Sequence, residues 1–526
     1  MKIISYGKQK KKRKWKVFAV LLVFIIPFIF PVYALLCFDS LQKFADEVTR
    51  AEVDYDSLIP ANYTRLSEMA DEFQFYMDRD HLPLNYTLSV YWQDVPSYTQ
   101  IRYYIVAGDA AIWTGMTLAM ASLRYAVMKR DGSASEIQDA LDFVKNLTSG
   151  VSLLLAVPNG GIGPDYPGVL ARSVSPKNWY PSNPRISGYD YTNGADNVDV
   201  FDGRGDYSDW LFIGYPSLDQ YSGIIMGVTM AAALVDDPWV QEQVGLLAAQ
   251  MIEHFRTTNW HLTDADGRTT GQSMLYKVEH PSFWVLSTIF MGVMADPDAY
   301  MPLYHHYAFE RNYAHQVPLS AIDFNFLTLS NYFSININIV ILYAMMMLET
   351  NPRLREVYES TLQSIYSWLR NHRNAWFNMM YLQSMGINDS NIKKDVEDQL
   401  MRFDVERIVG DPNSRRLPER GLSLSGGTYD DLIPSSLPRI TYDGWLATQP
   451  FYPSQDLNLV SLFVEMDDEY LTKPKTVEHY HTVDFLWQRS PYRIITYSPA
   501  ARQDSGLAFL LPYYMGRYHG IIQEGS

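Results

Sequence analysis

The sequence predicts an all-α fold: an (α/α)-toroid built from helical hairpins, with long loops, a minor β-hairpin and an N-terminal transmembrane helix. Three observations point there. From about residue 100 onward apolar residues recur at helical spacing; Ala- and Met-rich segments that are apolar all round alternate with amphipathic ones; and the links between them are mostly short, which favours antiparallel hairpins. Hairpins repeated around a circle leave their helix ends and loops surrounding one cavity. No strict sequence period is present, which sets the chain apart from short-period solenoids.

The 526 residues are 47% hydrophobic and 19% charged, enough to bury a large core and far from a disordered composition. Charge is uneven. Eight of the 43 basic residues lie in residues 1 to 16, which hold no acid, so 35 face all 59 acidic residues in the rest of the chain. That acidic body is a poor partner for nucleic acid. The basic stretch precedes Val17 to Phe38, uncharged for 22 residues, long enough at about 1.5 Å per residue to span a bilayer. Basic flanks stay on the cytoplasmic side, so the expected order is a cytoplasmic tail (1–16), a membrane anchor in the lipid bilayer (17–38), a juxtamembrane helical segment (39–100) and an external toroid domain (101–526). A cleaved signal peptide is the rival, but its apolar part is usually shorter and ends in small residues. The lone cysteine, Cys37, excludes an internal disulfide framework.

Along the body, helical patterns run from Asp109 to Met128 and, after the capping-box pattern Ser133-Ala-Ser-Glu136, through Ile137, Leu141, Val144 and Leu147. Pro238 opens another with Val244, Leu247, Met251 and Phe255. Others cover roughly 282–294, 301–313, 322–349, 353–370 and 456–467, with Leu354, Tyr358, Leu362, Ile365 and Leu369 forming the clearest stripe. Strand signals are scarce; Tyr492 to Tyr497 is the best. Sequons stand at Asn62, Asn85, Asn146 and Asn388.

Long loops at Pro158 to Ser217, Asp404 to Ser454 and Lys473 to Asp504 are where function is expected. The first mixes Asp, Asn, Arg, Trp and Tyr, as a sugar-binding cleft requires: flat aromatic faces for pyranose rings and polar groups for hydroxyls. Asp109, in GDAAIWTG, and Asp219, in SLDQYSG, each begin an apolar helix after a loop. Two carboxylates brought to one cavity suit glycosidic cleavage, one protonating the leaving oxygen and the other activating water or attacking carbon. Each is equally suited to capping its helix. Asp206, Asp209 and Gln220 are candidate substrate ligands; Trp113, Trp210 and Tyr221 are candidate stacking surfaces; and Arg517, in the aromatic C-terminal stretch, is a candidate for an acidic sugar carboxylate.

GDAAIWTG and SLDQYSG, each opening a helix in an almost wholly helical body, resemble the six-hairpin (α/α)6-toroid glycosidase-like proteins over roughly residues 100 to 400, with a likeness to their unsaturated glucuronyl hydrolase branch. The resemblance implies Asp219 as general acid/base and Asp109 as its assisting carboxylate. Fold likeness does not by itself carry activity. Beside the glycan hydrolase stand two alternatives, a non-catalytic glycan-binding or cell-envelope scaffold and a uronate-directed lyase or epimerase.

No metal cofactor is expected. The crowd of Asp190, Asp196, Asp199, Asp202, Asp206 and Asp209 offers the hard oxygens Ca²⁺ takes, but without EF-hand spacing, and Asp264-Ala-Asp-Gly267 reads as a turn. His305-His306 lacks an HExxH context, and no GxSxG, Walker A or dinucleotide fingerprint occurs in a fitting setting.

Overall fold

A computed structural model of the chain describes residues 53–94, 97–105, 107–179, 185–186, 200–275, 283–321, 332–386, 388–404, 439–441, 469–474, 476–477, 491–492 and 501–525, together with Val32, Leu35, Asp39 and Lys43. Its helices are α1 (Tyr63–Asp80), α2 (Ala110–Asp131), α3 (Ala134–Asn159), α4 (Leu218–Leu234), α5 (Pro238–Thr257), α6 (Phe283–Ala295), α7 (Pro297–His305), α8 (Tyr332–Leu348), α9 (Pro352–Leu369), α10 (Ala375–Ser384), α11 (Ser390–Met401) and α12 (Leu507–Tyr518). The protein is mostly helical, as expected from the sequence.

The even-numbered helices pack on one another in a circuit: α2 on α4, α4 on α6, α6 on α8, α8 on α10, α10 on α12, and α12 back on α2, with α8 also touching α4. The odd-numbered helices lie against their sequence neighbours: α3 on α2, α5 on α4 and α6, α7 on α6, α9 on α8 and α10, and α11 on α10, while α1 packs on α12. Composition explains the division. Helix α2 buries residues on every side (Ile112, Met116, Leu118, Met120, Leu123, Val127), whereas α9 buries one stripe, Leu354, Tyr358, Leu362, Ile365 and Leu369, the stripe legible in the sequence. Helix α3 is the one helix among the described residues long and apolar enough to cross a membrane, yet much of it is buried against the protein.

Helix boundaries follow local chemistry. The Ser133 capping box forms as expected, the Ser133 amide donating to Glu136 Oε2 at 2.7 Å while the Glu136 amide donates to Ser133 Oγ at 3.4 Å. Asp237, Asp296, Asn351 and Asn374 cap α5, α7, α9 and α10. The pattern expected over 301–313 is instead the end of α7 and a π turn, His306–Glu310, because Pro297 and Asp296 start that helix earlier.

Strands are more numerous than the sequence suggested. They are β1 (Ser89–Trp92), β2 (Ile101–Ile105), β3 (Ser173–Pro176), β4 (Arg185–Ile186), β5 (Val200–Asp202), β6 (Trp210–Ile213), β7 (His261–Thr263), β8 (Thr269–Ser273), β9 (Arg439–Thr441), β10 (Glu469–Leu471) and β11 (Arg502–Gln503). They form four small sheets, ordered β11-β1-β2-β4, β3-β6-β5, β7-β8 and β9-β10. At two to five residues each they are too short for an alternation pattern to register. The long stretch Pro158 to Ser217 is thus no structureless loop: α3 runs on through Pro158, and β3, β5 and β6 form an antiparallel sheet that delivers the chain to α4.

Of Val17 to Phe38, the stretch expected to anchor the chain, only Val32 and Leu35 are described, both helical and exposed; residues 1–16, Cys37, the helix expected over 456–467, and Tyr492 to Tyr497 beyond its first residue lie outside the described residues.

Candidate active site

Helices α2 and α4 cross at close range because glycines stand where they meet. A Cβ on Gly115 would lie 2.1 Å from the Gly223 carbonyl carbon, one on Gly223 2.2 Å from the Ile112 oxygen, and one on Gly227 2.3 Å from the Gly115 oxygen. No real Cβ approaches backbone so closely, so only glycine admits this packing. The crossing begins at the N-terminal ends of both helices, which brings their starts side by side.

Gln220 ties those starts together. Its Oε1 accepts from the Ser217 amide at 2.8 Å and the Ser217 hydroxyl at 2.5 Å, and its Nε2 donates to the Gly108 carbonyl and to Asp109 Oδ1, both at 3.3 Å. Arg172 makes a second tie: Nε donates to the Tyr215 carbonyl at 2.9 Å and Nη1 to the Gly108 carbonyl at 3.1 Å, while the Arg172 carbonyl accepts from the Ala111 amide at 3.1 Å. Gln272, on β8, accepts from the Leu218 amide at 2.9 Å and so takes up one of the unpaired donors of the first turn of α4.

Asp109 occupies the N-cap position of α2, yet among the described residues its side chain makes no hydrogen bond to the first-turn amides of that helix. Asp219 lies in the first turn of α4, whose N-cap is Ser217. Both carboxylates are half-buried. Gln220 follows Asp219 directly and bonds Asp109, so bond lengths place the Asp219 Cα within about 12 Å of the Asp109 carboxylate. Each carboxylate also sits near the positive end of a helix dipole.

The chain entering α4 is held in an unusual backbone shape. Tyr215 has φ +55°, a left-handed value uncommon for a bulky residue, and its side chain is 48% exposed beside the site. Gly214 admits the close approach of Asp264, whose Oδ1 would lie 2.4 Å from a Cβ there. The Asp264-Ala-Asp-Gly267 turn forms as expected, the Gly267 amide donating to the Asp264 carbonyl at 2.9 Å with Gly267 at φ +81°.

The other expected site residues fall in several places. Trp113 is on the first turns of α2, partly buried against the core. Trp210 opens β6, edge-on to Tyr207 at 6.4 Å, with Asp209 and Asp206 exposed just before it; a four-residue strand separates this cluster from the start of α4. Gln220 is fully buried and structural in its bonding. Tyr221 is also fully buried, its ring edge-on to Phe255 and its hydroxyl donating to the Gly168 carbonyl at 3.3 Å, so it has no face to offer a sugar, and burial drives its pKa well up. Arg517 is at the wrong end of the molecule: it pairs with Asp131, the last residue of α2, at 3.3 Å, and the 22 residues of α2 put about 33 Å between that end and Asp109.

Arg172, Gln272 and Asp264 surround the site without having been legible as its residues, since each comes from a strand or turn distant in sequence. Of the Asp-rich loop, Asp190, Asp196 and Asp199 lie outside the described residues, and among the described residues no group of His, Cys, Asp and Glu is arranged to hold a metal ion. Comparison with protein-family models, with characterised proteins and with solved structures found no match.

Proposed function

We propose that this chain is a membrane-anchored, external glycan-processing enzyme, a glycoside hydrolase built on an (α/α)6 toroid, in which Asp219 donates the proton and Asp109 is the assisting carboxylate. The observation that carries this reading is the bridge Ser217–Gln220–Asp109, which fastens the starts of α2 and α4 so that two half-buried carboxylates share one edge of the fold. Alternation of even helices in a circuit with odd helices against their neighbours supports the toroid. The basic tail, the uncharged run Val17 to Phe38 and the exposed helical Val32 and Leu35 support the anchor.

In this mechanism Asp219 protonates the glycosidic oxygen as the bond to the anomeric carbon breaks, and Asp109 deprotonates the water that attacks, or attacks the carbon itself. Arg172, held by the Gly108 and Tyr215 carbonyls, fixes the two loops against each other. Exposed Tyr215 and the Trp210 and Tyr207 pair present aromatic faces for sugar rings.

The test is reducing-sugar release across a polysaccharide panel, with a glycan array run in parallel, on the wild type, Asp219→Asn and Asp109→Asn. Turnover by the wild type and loss of about 10² to 10⁴ in kcat for Asp219→Asn, with binding retained, is the expected result. Binding without turnover by any of the three sinks the hydrolase reading in favour of a glycan-binding scaffold, and release of unsaturated products would reassign the pair to a lyase.

A further inference from the structure

A cleft of about 330 Å³ opens between the C-terminal end of α10, the N-terminal end of α11 and the turn after α12, lined by Leu382, Gln383, Gly386, Asn388, Lys393, His519, Gly520 and Ile521. It belongs to the opposite end of the molecule from Asp109. Arg130, one residue from the end of α2, donates to the Tyr518 and Arg517 carbonyls at 3.0 and 2.9 Å, so the cleft is a full helix length, about 33 Å, from the carboxylate pair.

The geometry points to this cleft as a second binding site, for a small organic anion that offers a carboxylate or phosphate to Lys393 and hydroxyls to Gln383, Asn388 and His519. Among the described residues, Lys393 is the only charged side chain in the lining. Among the described residues its ammonium makes no hydrogen bond, only a 3.8 Å contact with Glu397, whose Oε1 already accepts from the Tyr63 hydroxyl at 2.5 Å. The other carboxylate near by, Asp389, is also committed, its Oδ1 accepting from the Asn391 and Ile392 amides and its Oδ2 facing Arg370 at 3.3 Å. The amides at the start of α11 are therefore already occupied, and the site rests on Lys393 rather than on the helix end.

Lys393 also stands in the first turns of α11, where the helix dipole disfavours a cation, a placement that an anion in the cleft would offset. His519 bonds Tyr343 Oη through Nε2 at 3.4 Å, and burial holds its pKa down at about 3, so it supplies hydrogen bonding without charge. Gly386 and Gly520 turn the chain at φ +59° and +71°, with open space where a side chain would stand, which keeps the cleft clear. Its volume lies at the lower end of small-ligand pockets.

The experiment is calorimetric titration of the full chain, solubilised in detergent, with glycerol 3-phosphate, inorganic phosphate and glycolate at constant ionic strength. It is repeated on Lys393→Met and Lys393→Arg, with helical circular dichroism to confirm folding. Saturable one-site binding by the wild type is expected, weakened about tenfold or more in Lys393→Met and largely kept in Lys393→Arg. A preference for glycerol 3-phosphate or for glycolate identifies the anionic group. No saturable binding of any of the three by the wild type, or equal binding by a folded Lys393→Met, overturns the proposal. Because the assay reads binding alone, it stands or falls separately from the hydrolase reading.

Discussion

At the scale of single residues, both candidate carboxylates stand beside bonds that order the helix starts: Asp109 Oδ1 accepts from the fully buried Gln220 side-chain amide, and the Asp219 backbone carbonyl accepts from the Ser222 hydroxyl at 2.7 Å. Gln220 is the residue on which both depend. Gln220→Ala removes acceptors and donors from Ser217, Gly108 and Asp109 inside the protein, and such unsatisfied groups cost about 1 to 3 kcal/mol. A urea midpoint that falls accordingly, with the proposed hydrolytic activity falling further because the two helix starts lose their tie, is the expected outcome; an unchanged midpoint would show that the bridge carries little. Asp109 and Asp219 stood out in the sequence as candidates because each stands where a polar loop turns into an apolar helix, and the structure places both at helix starts. Arg172 and Gln272 were not, because the contacts that make them matter are with residues tens of positions away. Arg517 was misplaced for a related reason: an aromatic tail with one arginine gives no sign of which end of α2 it packs against.

At the scale of elements, the α2–α4 crossing decides where the site lies, and it depends on hydrogen atoms standing where other residues have a side chain. Gly115→Val would push a branched side chain into the Gly223 backbone, and since the obstacle is backbone on both helices nothing can turn aside. We expect a loss of about 3 kcal/mol or more, seen as loss of folded protein on expression or a large drop in the melting midpoint. Gly245, on α5, provides the contrast. Nothing lies within 4 Å of a Cβ there, so Gly245→Ala should stabilise by about 0.5 to 1 kcal/mol through helix propensity alone. Equal effects at the two positions would refute the crossing. Helices of this kind could be read from the sequence because their period extends over many residues, and the amphipathic stripe of α9 appears where it was expected. The short strands could not, and it is they that turn the Pro158 to Ser217 stretch into a scaffold for the start of α4.

At the scale of the whole molecule, burial of histidines sets how the fold responds to acid. His81 and His372 are enclosed in the core, and burial holds their pKa values down at about 4 and about 3, in His81 against the opposing effect of the Nδ1–H bond donated to the Leu88 carbonyl at 2.8 Å. Unfolded, each would titrate near 6.5, so below that pH the unfolded chain takes up protons that the folded chain refuses, and stability present above 6.5 is lost as pH falls towards the folded values. From above pH 7 down to pH 5 the loss is about 2 kcal/mol for each of the two. His254, half-buried and pushed down to about 4, acts in the same sense. Asp395, Asp78 and Asp71 act oppositely: burial leaves each pKa raised, so their contribution is present in acid and lost as pH rises through the carboxylate range. Asp131 and Glu136, held down by Arg130 and by the Ser133 cap respectively, add their losses only in the more acidic carboxylate range. The expected profile is therefore a melting midpoint that is level above pH 7, falls between 6.5 and 5, and falls again below about 4. His372→Phe should flatten part of the first step while leaving the second, provided the variant folds at pH 8. A midpoint unchanged from pH 7.5 to 5 would mean that these histidines take up protons in the folded protein, and hence that the core around them opens to water.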